Sequence, residues 1–294
     1  MTNRLSWERD GAGWPNAASS RFVAAAGFTW HVQVMGAGPV LLLLHGTGAA
    51  THSWRALLPL LAERFTVVAP DLPGHGFTQT PGHAQMSLPG MARGVAALLK
   101  TLGLSPDLAV GHSAGAAILA RMCLDGLIAP KALISLNGAM LPLPNMPTEL
   151  FAPLARAMAA CGLVSRLAAR QAAAPRALAR LINSTGSTLD ADGTEFYRRV
   201  VSNPGHVAGA LAMMANWSLR DLARDLKSLR VPLVLLVGAG DLTIPPSDAQ
   251  RVRRLLPAAQ VISWPGLGHL AHEEQPARAV ALVLEKAAEF GLIS

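Results

Sequence analysis

Cysteine is nearly absent. Only Cys123 and Cys161 occur in 294 residues, and they form no metal-type spacing. A disulfide framework is thereby excluded as the source of stability, and the pair reads as free buried thiols in a reducing compartment. Charged residues make up only 15% of the chain, and the net charge of +7 comes without a dense Lys/Arg block or zinc-finger spacing. With a single tyrosine there is also little for base stacking, so nucleic acid is not predicted as a partner. Long apolar runs are missing too: "PVLLLL" and "VPLVLLV" are far too short to cross a bilayer. The opening "MTNRLSWERDGAGWP" mixes both charge signs and shows no secretory apolar core. These absences predict a cytoplasmic location. The basic balance leaves open an anionic ligand or a peripheral contact with the inner face of a membrane.

What the chain does have is apolar and periodic. Half of it is hydrophobic, 51%, and the length suffices for a substantial core. In "RFVAAAGFTWHVQVMG" two extended segments meet around Gly27. Phe28, Trp30, Val32 and Val34 alternate with Thr29, His31 and Gln33, which predicts a half-buried strand. Short apolar runs follow, each ending in a glycine-rich or polar loop: "PVLLLLHGTG", "FTVVAPDLPGHG", "DLAVGHSAG", "KALISLNG", "VPLVLLVGAGD" and "QVISWPGLGH". Near-continuous apolar strands suit a sheet covered on both faces, hence mostly parallel. Helical patterns such as "SWRALLPLLAERF" and "ARGVAALLKTLG" lie between them and predict an α/β fold with crossover helices.

One connection breaks the rhythm. The stretch 139–230 separates two core strands where αβ loops usually take about 2–6 residues. Helical patterns fill much of it, so it is read as an inserted cap, with 1–138 and 231–294 forming the core. Its methionines, Met140, Met146, Met158, Met213 and Met214, read first as core filling. From Phe151 to Leu189 the cap carries arginines and no acidic residue. That stretch reads first as a solvated face, with an anionic ligand or a membrane surface as the sharper alternative.

The chemistry centres on "GHSAG". Between a strand and a helix, G-x-S-x-G makes a tight turn that lifts the serine hydroxyl above the sheet, and the following helix aims its first amides at the same place. By itself the pattern is weak, matching by chance roughly one time in ten in such a chain. Ser113 needs a base, and the base needs an orienting group. His269, after the strand signal in "SWPGLGHL", is the candidate base, and Asp241, ending "VPLVLLVGAGD", the candidate acid. His272 opens the polar "HEEQP" and reads as a capping or solvent-exposed residue. Asp248 reads as a solvated carboxylate, and Asp71 in "DLPGHG" as a turn organiser with Pro73 and Gly74. His112 cannot readily turn back to Ser113 and reads as packing. "HGTG", residues 45–48, supplies an oxyanion loop, with the amides of Thr47 and Ala114 as the donor pair. Neither "HGTGAAT" nor "VGAGDLT" completes G-x-G-x-x-G, so no cofactor is predicted, and no metal. Trp54, Met140, Leu242 and Leu270 are candidates for the pocket lining, by adjacency to these loops.

The order Ser113, Asp241, His269, together with "HGTG", "DLPGHG", "GHSAG", "GAGD" and "GLGH", resembles the α/β-hydrolase superfamily from about Arg21 to Phe290. That resemblance implies a mostly parallel sheet flanked by helices with an inserted cap, and a serine hydrolase. Capped members include esterases, lactonases, C–C bond hydrolases, epoxide hydrolases and cofactor-free haloperoxidases. An epoxide hydrolase or haloalkane dehalogenase would carry an aspartate where Ser113 stands. More closely, "WERDGAGWPNAASSRFV", "WHVQVMG", "LLHGTGAATHSWRALLPLLAERFTVVAPDLPGHGFT" and "GHSAGAAILARMCLDG" are similar to the magnesium-chelatase accessory family of bacteriochlorophyll biosynthesis. This implies a link to magnesium insertion into protoporphyrin, with an anionic tetrapyrrole and chelatase subunits as candidate partners, but supplies no reaction. Three readings stay open: a serine hydrolase, a non-catalytic porphyrin-binding or chelatase accessory protein, and a perhydrolase or haloperoxidase-like enzyme.

Overall fold

The computed structural model describes residues 4–142 and 162–294. The apolar runs become the strands of one sheet: β1 (Ser20–Ala25), β2 (Phe28–Met35), β3 (Val40–Leu44), β4 (Thr66–Pro70), β5 (Leu108–His112), β6 (Ala132–Leu136), β7 (Leu233–Gly238) and β8 (Gln260–Trp264). Their spatial order is β1-β2-β4-β3-β5-β6-β7-β8. Pairing is antiparallel at β1/β2 and β2/β4 and parallel from β4 onward.

Helices cover both faces: α1 (Leu57–Leu61), α2 (Leu88–Leu102) and α3 (Ala114–Leu124) before the β6–β7 connection, then α4 (Gly162–Ala172), α5 (Pro175–Asn183), α6 (Ala191–Val201) and α7 (Pro204–Ala215) within it. After β8 come α8 (Ala271–Glu274) and α9 (Pro276–Glu289). Strand period explains how one run feeds two layers. In β3, Leu41 and Leu43 pack with Leu57 and Leu61 of α1 and Val283 of α9. Leu42 and Leu44 point the other way, into a cluster with Leu98 of α2 and Ile118 of α3. The ends of α2 are local chemistry: Ser87 Oγ accepts from the Gly90 amide, and Gly103, at φ 68°, closes the helix left-handed.

β2 departs from its half-buried expectation. His31 and Gln33 are as fully buried as Trp30 and Val32, because the amino-terminal segment covers the polar side. Trp7 lies 5.2 Å from the His31 ring, and Gln33 Nε2 donates to Pro15 O at 2.6 Å. The same segment reaches the helices between β6 and β7. Trp14 is buried with Phe77, Leu178 and Tyr197, its Nε1 donates to Thr51 Oγ1 at 3.0 Å, and the Arg199 guanidinium of α6 sits 5.4 Å from its ring. Arg199 Nη2 also donates to Ala12 O at 3.0 Å. Trp14→Ala is therefore expected to cost about 3–5 kcal/mol, the usual range for truncating a buried tryptophan. Urea unfolding checks this, with Trp14→Phe expected to recover part of the loss.

Between β6 and β7 the described residues form α4 to α7, a short helix Arg220–Asp225 and a 3-10 turn Leu226–Ser228, joined by non-helical turns. The expectations placed on Met146, Met158 and Cys161 lie outside the described residues. Met213 is buried in the core cluster, whereas Met214 is exposed. Arg170, Arg176 and Arg180 are exposed. Burial pushes the thiol of the remaining cysteine, Cys123, up to about 12. Among the described residues no helix is long and apolar enough to cross a membrane.

Candidate active site

Ser113 joins β5 to α3 with φ 51° and ψ −118°, a conformation that side chains with a Cβ avoid and that costs of the order of 1–3 kcal/mol. The flanking glycines make it feasible. A Cβ on Gly115 would lie 2.1 Å from Leu44 O, and one on Gly111 would lie 2.5 Å from Ala116 N. The turn is anchored from neighbouring strand ends: Ser113 N donates to Leu136 O at 3.1 Å, and Ala139 N donates to Ser113 O at 3.1 Å. The loop after β3 lies directly on it. A Cβ on Gly46 would stand 2.9 Å from both Ser113 Cβ and His112 Nδ1. Thr47 is exposed at the tip of that loop, and Ala114 begins α3.

Asp241 and His269 meet across the loops that follow β7 and β8. His269 Nδ1 lies 2.8 Å from Asp241 Oδ2, with both side chains buried. The carboxylate only accepts, so Nδ1 carries the proton, and in the neutral ring Nε2 is left with its lone pair free. Three more donors hold the carboxylate: Asn137 Nδ2 at 2.8 Å to the same oxygen, and the amides of Thr243 and Ile244 at 2.7 and 2.8 Å to Oδ1. Asn137 also donates to Gly268 O at 3.3 Å, tying the loop after β7 to the loop after β8. Asn137 was not among the sequence-derived candidates. Its signal is the "LNG" ending β6, where the asparagine adopts φ 48°. Between Ser113 and His269 the described contacts run through the neighbour: His112 Nε2 donates to His269 O at 3.0 Å. Among the described residues no hydrogen bond runs from the Ser113 hydroxyl to the His269 ring.

Neutral imidazoles surround the site. Burial, with His272 and His269 nearby, holds His112 well below the ordinary histidine range. Burial brings His272 down to about 3, and its Nε2 is 3.1 Å from Ser53 Oγ. His272 is thus fully buried, against the expectation of a capping or solvent-exposed residue, because α8 turns its ring inward between His112 and Trp54. Asp248 is likewise buried, not solvated, and pairs with Arg251 at 2.8 Å. A second Ser–His–Asp set lies elsewhere. His31 joins Ser20 Oγ at 2.9 Å and Asp71 Oδ2 at 2.7 Å. Asp71 is occupied there, accepting also from the amides of Thr51 and Phe77. Its turn contact is to Phe77 and Gly76, beyond the Pro73–Gly74 pair named from the sequence.

The four candidate pocket residues do not share a wall. Trp54 is sealed in the core layer under β3. Met140 borders a small cavity behind Asn137 and Asp241. Leu242 is 72% exposed. Leu270 packs with Trp14, Leu178 and Tyr197. Adjacency along the chain says which loop a residue belongs to, not which way its side chain turns.

A mostly parallel sheet with a strained serine turn after β5, an acid and a histidine after β7 and β8, and a helical insertion after β6 defines the α/β-hydrolase class. The chain belongs to that family, whose profile, described as the alpha/beta hydrolase fold, matches residues 39–276. More particularly, it is similar to a magnesium-chelatase 30 kDa subunit of Rhodobacter capsulatus. The two are 35% identical over 264 residues, covering 89% of this chain and 92% of that protein. Among solved structures, a putative lipase from Acinetobacter baumannii superposes with a TM-score of 0.77 at 19% identity, over 99% of this chain and 98% of that one. A thermophilic esterase from Thermogutta terrifontis gives 0.73 at 23% identity, over 92% and 98%. Both show the shared fold.

Proposed function

We propose that the protein is a serine hydrolase acting on an ester or a related acyl or C–C bond, with Ser113 as nucleophile, His269 as base and Asp241 as its orienting acid. The observation that carries this reading is the 2.8 Å contact between His269 and Asp241 beside a serine held at φ 51° on a strand-to-helix turn. Ser113 Oγ attacks the carbonyl carbon while His269 Nε2 takes its proton. The oxyanion is met by the amides of Thr47 and Ala114, neither of which donates to another described residue. His269 then protonates the leaving group, and water, activated by the same imidazole, releases the acyl group from Ser113. Substrate binding tightens the serine–histidine contact, as is common where the free site holds it loosely.

A second reading is favoured by one observation, the similarity over 89% of this chain to a protein named a magnesium-chelatase subunit. On that reading the cap holds an anionic tetrapyrrole, or contacts chelatase subunits or a membrane face, and turnover is secondary or absent. Perhydrolase chemistry would use the same three side chains. Labelling with a fluorophosphonate probe separates a catalytic serine from an accessory role. The unmutated protein should form a covalent adduct and Ser113→Ala none. Adduct formation that persists in Ser113→Ala would reject this nucleophile. Tight protoporphyrin binding with neither adduct nor ester turnover would put the accessory role in its place.

A further inference from the structure

We infer that the cap turn 185–188 is a latch that positions the acid–base pair, with Ser187 and Glu274 as its positioning residues. This rests on the reading of Asp241 and His269 as that pair. The turn lies between α5 and α6, and its polar groups serve the two catalytic loops of the core. Thr185 O accepts from His269 N at 3.0 Å and from Leu242 N at 3.3 Å, so one cap carbonyl holds both the base and the residue after the acid. Ser187 Oγ accepts from Leu270 N at 2.8 Å and donates to Glu274 Oε1 at 2.8 Å. Glu274 accepts in addition from Gly268 N at 2.9 Å and from Thr188 N at 3.0 Å.

The amides of Gly268, His269 and Leu270, three in a row around the base, thus all end on the cap turn or on the carboxylate that clasps it. The loops also touch backbone to backbone. A Cβ on Gly186, at φ +77°, would lie 2.0 Å from Gly240 O, and one on Gly268 would lie 2.3 Å from Gly186 C. Ser187 is 2% exposed, so water does not readily replace its bonds. A loop held this way has its imidazole placed by the cap, and small displacements of a reacting group are costly: about 1 Å can lose about 100-fold in rate. Any ligand that shifts the cap turn therefore shifts the base.

The test compares the full-length protein with Ser187→Ala, Glu274→Gln and the conservative Ser187→Thr. Hydrogen exchange of the amides at 268–270 and the low-field proton resonance of His269 Nδ1 report on the latch without requiring turnover. In Ser187→Ala, exchange at Leu270 should accelerate at least 10-fold and the Nδ1 resonance should broaden or shift, with Ser187→Thr restoring both. The fluorophosphonate labelling rate and ester kcat should fall about 10- to 100-fold with KM little changed. Unchanged exchange, or faster exchange with an unaltered Nδ1 resonance and unaltered labelling, overturns the latch. If the unmutated protein neither labels nor turns over, the hydrolase reading fails instead, and the latch is decided by exchange and the Nδ1 resonance alone.

Discussion

Asp241→Asn is expected to lower kcat on a chromogenic ester about 10⁴-fold while leaving the protein folded, the size of loss seen when such an acid becomes an amide. The reason is in the hydrogen bonds. Oδ1 accepts from two backbone amides, Thr243 and Ile244, so in an asparagine the carbonyl oxygen is drawn to that side. The NH₂ group then faces His269 Nδ1 and Asn137 Nδ2, where two donors already point. To avoid a donor–donor clash the imidazole must move its proton to Nε2, which leaves no lone pair for the Ser113 proton. The unmatched Asn137 donor adds about 1–3 kcal/mol of destabilisation. Steady-state kinetics with circular dichroism as a folding control decides the matter. An Asp241→Asn variant within a few-fold of the parent would remove Asp241 from the mechanism.

The second large effect is on stability in acid. His45, His52, His75, His112, His206 and His272 are all lowered by burial, to about 4 for His206 and about 3 for His272. A histidine depressed in the folded state takes up its proton only on unfolding over the window between the folded value and about 6.5. Stability contributed by these residues is therefore present above that window and lost as pH falls through it. Each contributes a slope of up to about 1.4 kcal/mol per pH unit where only the unfolded chain is protonated. Glu273 works in the opposite sense. Burial raises it to about 7 despite the donors Arg55 and Tyr197, so its contribution declines as pH rises from about 4.5 to 7. One carboxyl offsets about one histidine, leaving several uncompensated. Urea unfolding between pH 4.5 and 7.5 should show stability rising up to about pH 6.5. A flat or falling profile would mean that the imidazoles become charged in the folded state.

The histidines also show how legibility divides. His269 could be singled out because it follows a strand signal, and parallel sheets present their loops at one edge. His272, three residues on, opens the polar "HEEQP" yet is buried beside Trp54, since the short helix α8 rotates it inward. Asp248 is buried for a related reason: a helical pattern shows which residues share a face, not what covers that face. The polar side of β2 was invisible as core because the segment that buries it comes from Trp7 to Pro15, remote in register from the strand.

Sequence alone determined the alternation of strands and helices and the glycines at 111 and 115, because local periodicity and steric demand are written along the chain. The order of the loops at the sheet edge followed from the same pattern. Only the tertiary structure decided that Asn137 ties the loop after β7 to the loop after β8, that the turn 185–188 holds the amides around His269, and that most of the histidines lie buried and neutral. Those facts depend on which surfaces meet after folding, and hydrogen bonds such as those between residues 137 and 241, or 187 and 274, join groups whose separation in sequence carries no trace of their contact.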